Sequence, residues 1–113
     1  MTNFITLDIA HPPLRAGDAE TALDDTLRAM KSTSGKRVLK IIHGYGKSGK
    51  GGTLKETVLN WAYRNKRQIK GVIAGDQYSL LDKQTQDMRR ACGPMADSDL
   101  EAANPGITLI WVK

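Results

Sequence analysis

Apolar and polar positions alternate along the chain with two different periods, which predicts strands and helices in turn. Residues 4–9 alternate well enough to form a strand, which the Pro12-Pro13 pair ends. Residues 107–112 form a strong final strand, and residues 69–74 form a third. Residues 37–42 cluster Val, Leu and Ile, which predicts a strand buried on both faces in the middle of a partly parallel sheet.

Helical spacing fills the segments between these strands. After Gly17 the first helix repeats apolar residues up to Met30, with Asp18 as its predicted N-cap. A capping box of Thr53 and Glu56 opens a second helix that runs to about Asn65. A third helix is predicted to start at Ser79 with Asp82, to carry Leu81 on its apolar stripe and to end at Gly93-Pro94, before a loop over residues 95–106. The order β-α-β-α-β-(α)-β, with short connections, predicts an α/β fold with helices on a mixed four-stranded sheet.

Length and composition indicate one domain over residues 1–113. The apolar fraction of 40% is ordinary for a globular protein. No apolar run approaches the roughly 20 residues that span a bilayer, and the first residues lack the layout of a signal peptide. Cys92 is the single cysteine, so no internal disulfide forms. We therefore expect a cytoplasmic protein that makes no contact with a membrane.

Charge is concentrated in the middle of the chain. The net charge is +5, yet residues 36–70 hold ten Lys and Arg and one acid, Glu56, while each flanking segment is mildly acidic. A merely solvated surface is the simpler interpretation of such a segment. The concentration favours a face that binds a polyanion.

The same basic segment contains a loop suited to phosphate. Five of the 11 glycines lie within residues 44–52, between an apolar strand and the start of a helix. Glycine allows close approach of the backbone, and a helix N-terminus offers unpaired amides and a positive dipole end. Tyr45 stands between two glycines, where it either stacks on a base or packs over the loop. The residues predicted to bind nucleic acid are Gly44, Tyr45, Gly46, Lys47, Ser48, Gly49, Lys50, Gly51, Gly52, Thr53, Lys55, Arg64 and Arg67.

A nucleotide is the alternative ligand of this loop. The phosphate-loop pattern G-x-x-x-x-G-K-[ST] fits from Gly44 to Lys50 and fails at Gly51, which replaces the hydroxyl residue that holds Mg²⁺. The spacing G-x-G-x-x-G also occurs, but no acidic residue follows about 20 positions on to hold a ribose. A small nucleotide-binding protein is therefore the third choice for function.

The motif around this loop resembles the core of the Smr domain, the small MutS-related module. The match comprises Ile41-Ile42-His43-Gly44-Tyr45-Gly46, then Gly52, Leu54-Lys55, Val58 and Trp61. The opening strand of the family, Leu-Asp-Leu-His, is similar to Leu7-Asp8-Ile9, and its Gly-rich turn and last strand are similar to residues 104–110. The resemblance implies a two-layer α/β fold shared with the C-terminal domain of translation initiation factor three. It also implies binding of DNA or RNA, and nicking or endonuclease activity.

The chain departs from the family pattern at two places. Ala10 stands where the family carries its histidine, and His11 reaches the same face only if the chain bends before Pro12. We expect residues 75–103 to form an insert with an extra helix, which either caps the sheet or reshapes the groove. The first departure affects cleavage more than binding.

Two residues are the candidates for cleavage of a phosphodiester. His43 is a candidate general acid or base, and Asp8 is a candidate to orient His43 or to hold a divalent cation. The simpler alternative is that His43 bonds a neighbouring backbone group and Asp8 caps a turn. One carboxylate with one or two histidines makes a poor metal site, so no metal ligands are predicted, and Mg²⁺ or Mn²⁺ is the cofactor to test. The main alternative to a nuclease is a non-catalytic adaptor that docks on nucleic acid or on an acidic protein.

Overall fold

The computed structural model describes residues 4–33, 35, 37–45, 52–93 and 97–113. Within these ranges four strands and three helices follow one another in the predicted order, with one short 3-10 turn before the third strand and one after it. The elements are β1 (Phe4–Asp8), α1 (Ala16–Ser32), β2 (Val38–Ile42), α2 (Gly52–Arg64), β3 (Ile69–Ala74), α3 (Lys83–Cys92) and β4 (Ile107–Val112).

The sheet is mixed and four-stranded, as predicted, with the order β1-β2-β4-β3. β2 lies inside it, parallel to β1 and antiparallel to β4, which agrees with the apolar run of its sequence. β3 is also antiparallel to β4, so β1, β2 and β3 run in the same direction. The end of the sheet at which β1, β2 and β3 finish is called the loop end. The end at which these strands begin is called the opposite end.

α1 and α2 cover one face of the sheet and enclose the larger core. Leu23 and Leu27 of α1 and Trp61 of α2 pack there with Leu39 and other apolar residues of the strands. The Trp61 indole N–H donates to Asp24 Oδ1 at 2.8 Å, which ties α2 to α1. Burial of these apolar faces supplies the main driving force for packing the two helices on the sheet.

α3 and the chain beside it cover the other face. Met88 and Cys92 of α3 and the buried Tyr78 form a second core with Ile73 and Leu109 of the sheet. The described residues of α3 and of the turns beside it thus cap this face of the sheet, one of the two roles expected for the segment 75–103.

The starts of the helices differ from the predictions. α1 begins at Ala16 and is preceded by Arg15, so Asp18 lies within its first turn and is not the N-cap. α2 begins at Gly52, one residue before the predicted capping Thr53. α3 begins after Asp82, whose carboxylate accepts a hydrogen bond from the Thr85 amide, and not at Ser79.

The turn before α3 explains the displaced start of that helix. The Glu101 carboxylate accepts hydrogen bonds from the Ser79 hydroxyl and the Leu80 amide, which holds this segment outside the helix. Leu81 therefore projects into solvent, with 90% of its surface exposed, instead of joining the apolar stripe. A long-range contact of a side chain with the backbone has overridden a local helix signal here.

Candidate nucleic-acid interface

Three connections meet at the loop end of the sheet. The chain turns sharply after β1, where Ala10 bridges to Pro13 and the Leu14 amide donates to the Ile9 carbonyl at 2.9 Å. The amides of His43 and Gly44 both donate to the Gly106 carbonyl at 3.0 Å. A side chain at Gly44 would stand 3.4 Å from the Ala10 side chain, so the turn after β1 lies directly against the start of the glycine-rich loop.

Asp8 and His11 form a pair in the first of these connections. Asp8 Oδ2 lies 2.9 Å from His11 Nδ1, and Asp8 Oδ1 accepts hydrogen bonds from the amides of Ala10 and His11. Burial raises the pKa of Asp8, but the hydrogen bonds from Ala10 and His11 outweigh it and hold the pKa below its ordinary value. Asp8 therefore caps the turn and orients His11, a residue that is 71% exposed on its side chain.

His43 lies inside the protein at the end of β2. Its ring is bonded on both sides, with Nδ1 3.0 Å from the Gly44 carbonyl and Nε2 2.9 Å from the Thr108 hydroxyl. A carbonyl only accepts, so Nδ1 carries the proton and Nε2 accepts from Thr108. The residue is 2% exposed. It joins the first residues of the loop to β4, which corresponds to the simpler of the two roles considered for it.

The environment of His43 favours the neutral ring. Burial is the main cause that lowers the pKa of His43, and the nearby charge of Lys55 lowers it further. The hydrogen bond from Nδ1 to the Gly44 carbonyl and the nearby backbone of Ile107 oppose this shift in the pKa without overcoming it. Asp8 bonds with His11 and with backbone amides, and no hydrogen bond joins it to His43 among the described residues.

Tyr45 is anchored by its hydroxyl and exposed to solvent over half of its surface. Its hydroxyl donates to Asn104 Oδ1 at 2.9 Å, and the same oxygen accepts from the Gly106 amide at 2.9 Å. Half of the residue, 51%, remains exposed. The turn before β4 thus holds an aromatic ring at the surface of the loop end, in an orientation set by its hydroxyl.

A buried polar network that reaches to β2 holds Asn104 in place. Asn104 Nδ2 donates to Asp99 Oδ1 at 3.0 Å, and Asp99 and Asp97 both accept from Lys40 Nζ in the middle of β2. Burial lowers the pKa of Lys40, but its bonds to Asp99 and Asp97 outweigh this and raise the pKa above its ordinary value. The Lys40 ammonium group therefore stays protonated and is paired with the two carboxylates inside the protein, so it contributes no charge to a binding face.

The central residues of the predicted loop, Gly46, Lys47, Ser48, Gly49, Lys50 and Gly51, lie outside the described residues. Gly52, which has a φ of +58°, opens α2 beyond them, and Thr53 and Lys55 occupy the first turn. This turn contains no acidic residue, so the positive end of the helix dipole faces the loop end without a competing carboxylate in that turn.

Arg64 and Arg67 lie at the far side of the molecule from the loop. α2 has 13 residues and therefore spans about 18 Å, which separates its last residue, Arg64, from Gly52. Arg64 also pairs with Glu20 of α1 at 2.6 Å. The structure consequently does not bring these two arginines together with Tyr45 and Lys55.

Among the described residues, no three His, Cys, Asp or Glu side chains lie together in a way that could hold a metal ion. Likewise, no helix in the described ranges is long and apolar enough to cross a membrane.

Two participants in this site were not predicted as site residues. His11 follows Ala10, the position of the family histidine, and the Pro12-Pro13 pair is the signal in the sequence that the chain bends there. Asn104 stands more than 50 residues after Tyr45, and no local pattern in the sequence connects the two.

Comparison with known proteins identifies a family and a similar fold. The family model "Smr domain" matches residues 12–88. The crystal structure of the Smr domain of Thermus thermophilus MutS2 superposes with a TM-score of 0.56 at 15% sequence identity, covering 97% of this chain and 96% of that one. No curated protein matches. Since the family model covers more than half of the chain, the protein belongs to the Smr domain family, whose members generally bind nucleic acids.

Proposed function

We propose that this domain binds the phosphate backbone of DNA or RNA at the loop end of the sheet. The observation that carries the proposal is that the exposed, anchored Tyr45 follows β2 at the same end of the sheet at which α2 begins with a turn that holds no acidic residue. Amides at the start of α2, together with Lys47, Lys50 and Lys55, would hold phosphates, while the Tyr45 ring stacks on a base or sugar. Binding of this kind is weakly selective for sequence and strongly dependent on salt.

A salt series on a short duplex and on a single strand of DNA and RNA tests this site. We expect the double variant Lys47→Gln/Lys50→Gln to weaken binding at low salt and to reduce the slope of log K against log salt by about 2 on duplex DNA. Tyr45→Ala should weaken single-strand binding by roughly tenfold, since stacking contributes about 1–3 kcal/mol per base. Tyr45→Phe keeps the ring and loses only its anchor to Asn104, so its affinity should fall between those of the wild type and Tyr45→Ala.

The matched control is Arg28→Gln/Lys83→Gln, which removes two exposed cations that pair with Asp25 and Asp87 on other surfaces. Equal affinity and equal slope for the loop variant and this control would refute the loop as the phosphate site.

We further propose that Asp8 and His11 supply the chemistry if the domain nicks its substrate. His11 Nε2 would take the proton of the attacking water, or of a 2′-hydroxyl in RNA, while Asp8 stabilises the imidazolium at Nδ1. The loop lysines would balance charge on the phosphoryl oxygens, and the leaving oxygen would take a proton from solvent. In this proposal His43 holds the loop in place. The prediction that His43 itself is catalytic is the alternative, and it requires its ring to reach solvent.

Cleavage of branched DNA and of RNA distinguishes these roles, measured with and without Mg²⁺ or Mn²⁺. We expect His11→Gln and Asp8→Asn to lower the rate by about 10²–10⁴, the usual contribution of a general acid or base, with binding unchanged. Asp25→Asn, at an exposed ion pair on α1, is the control. Wild-type rates in both site variants would exclude the pair from catalysis, and loss of activity only in His43→Gln would return the role to His43.

Ala10 is the observation that favours a second candidate function, a non-catalytic adaptor. It replaces the family histidine directly beside the loop. Salt-dependent binding by the wild type without turnover of any substrate in the same assay would select the adaptor. Mg²⁺-dependent binding of ATP or GTP would instead support the nucleotide-binding alternative.

A further inference from the structure

We propose that a basic cleft at the opposite end of the sheet binds a second segment of nucleic-acid backbone, so that the domain bridges two segments. This inference rests on the proposed function, because the loop end holds the first segment. It adds a site that lies on the other side of the molecule and uses different residues.

The cleft has a volume of about 700 Å³ and lies where β2 and β3 begin and β4 ends. Four cationic residues line it: Lys31 from the last turn of α1, Arg37 before β2, Lys70 on β3 and Lys113 after β4. The backbone ties its walls together, since the Val112 amide donates to the Arg37 carbonyl at 2.8 Å and the Lys113 amide donates to the Gln68 carbonyl at 3.0 Å. Backbone hydrogen bonds therefore connect the segments that carry Arg37 and Lys113 to the neighbouring strands, and Lys31 faces them from α1.

None of the four cations has a carboxylate partner. All twelve Asp and Glu side chains belong to the described residues, and the ion pairs formed there involve neither Lys31, Arg37, Lys70 nor Lys113. Arg37 Nε is buried without a hydrogen-bond partner in the described part of the chain. Lys70 lines the cleft, and its Nζ lies 5.2 Å from the centre of the Trp111 ring, a contact that leaves the charge of Lys70 without a counterion. Clustered like charges without counterions repel each other, so an anion in this cleft would relieve an unfavourable arrangement.

The form of the cleft favours a polymer over a small phosphate compound. Small-molecule sites are enclosed and mostly apolar, with a few converging polar groups. Here Lys31, Lys70 and Lys113 are exposed and come from three separate elements, so each is placed to meet a different phosphate along a backbone.

The cleft and the loop end face away from each other. Strands of five and six residues place about 17–20 Å between the two ends of the sheet. Arg64 and Arg67, which were predicted as part of the loop site, lie toward this opposite end instead, with Arg64 paired to Glu20. A segment held at the loop end consequently leaves the cleft open for a second duplex, or for another arm of a branched molecule.

The stoichiometry of a short duplex tests the inference, measured by native mass spectrometry and by energy transfer between duplexes that carry donor and acceptor dyes. We expect the wild type to bind two duplexes and to bring the dyes together. The triple variant Lys31→Gln/Lys70→Gln/Lys113→Gln should bind one duplex and give no transfer, while keeping loop-dependent affinity for that duplex. The variant Lys47→Gln/Lys50→Gln should also bind one duplex, now through the cleft, with a salt slope of about −3.

The control is Arg28→Gln/Lys83→Gln/Arg90→Gln, which removes the same charge from residues that pair with Asp25 and Asp87. It should bridge like wild type, and the melting temperatures of all variants confirm their folding. One duplex per wild-type domain, or bridging by the cleft variant, would overturn the inference while leaving the loop site intact. Loss of all binding in the cleft variant, with full binding in the loop variant, would instead refute the proposed function at the loop end.

Discussion

At the residue scale, His43 illustrates how one sequence position supports two opposite interpretations. A histidine at the end of a strand, followed by glycines, is typical of a catalytic or phosphate-binding group. Its burial and its two hydrogen bonds, to the Gly44 carbonyl and the Thr108 hydroxyl, match the neutral ring instead. Thr108 lies 65 residues away in the chain, so only the folded arrangement reveals that Nε2 has a partner.

The lowered pKa of His43 predicts a dependence of stability on pH. The folded state disfavours the protonated ring, so the unfolded state binds more protons as the pH falls through the ordinary histidine value of about 6.5. The free energy of unfolding should therefore be highest above that pH and should decrease toward the lower folded-state pKa. Denaturant titrations at pH 7.5 and 5.5 should reveal this decrease in the wild type and in His11→Gln, and a smaller one in His43→Gln.

An NMR titration of the two histidine rings provides the direct check, and it does not depend on how well His43→Gln folds. A pKa of His43 at or above the value of a free histidine would contradict this account of the buried ring.

At the scale of elements, strands were predicted more accurately than helix starts. The bounds of β3 and β4 agree with their apolar runs, because burial within a sheet depends on the alternation of consecutive residues. Helix starts depend on which nearby side chain or carbonyl captures the first amides. Asp18 and Ser79 have suitable chemistry, yet the side-chain cap observed in the described part of the chain is Asp82. Before α3, the long-range contacts of Glu101 with Ser79 and Leu80 decide where the helix begins.

The two aspartates at helix starts give a matched pair of substitutions. Asp82 accepts from both the amide and the hydroxyl of the buried Thr85, so Asp82→Ala should lower the free energy of unfolding by about 1–2 kcal/mol. Asp18→Ala, in an exposed first turn, should change it by less than about 0.5 kcal/mol. Chemical denaturation of the three proteins measures both values, and a larger loss for Asp18→Ala would contradict the assigned caps.

At the scale of the whole molecule, the basic segment 36–70 is divided among three places. Lys40 is buried between Asp97 and Asp99 on the face covered by α3. Lys55 lies at the loop end, while Arg64 and Lys70 lie at the opposite end. This division follows from topology, since β2 carries the chain to the loop end and α2 returns it. The charge of a segment thus indicates a polyanion as ligand without locating one binding face.

The sequence by itself determined the order of strands and helices, the central position of β2 and the membership of the Smr domain family, because these depend on local periodicity and on a contiguous motif. Only the tertiary structure decided that His11 pairs with Asp8, that the Thr108 hydroxyl bonds to Nε2 of His43 and that Asn104 accepts from the Tyr45 hydroxyl. The last two pairs join positions far apart in the chain, and the first depends on a turn that lies against Ile42 and Gly44. Hydrogen bonds between such residues arise from the geometry of packed elements, which no local pattern of residues encodes.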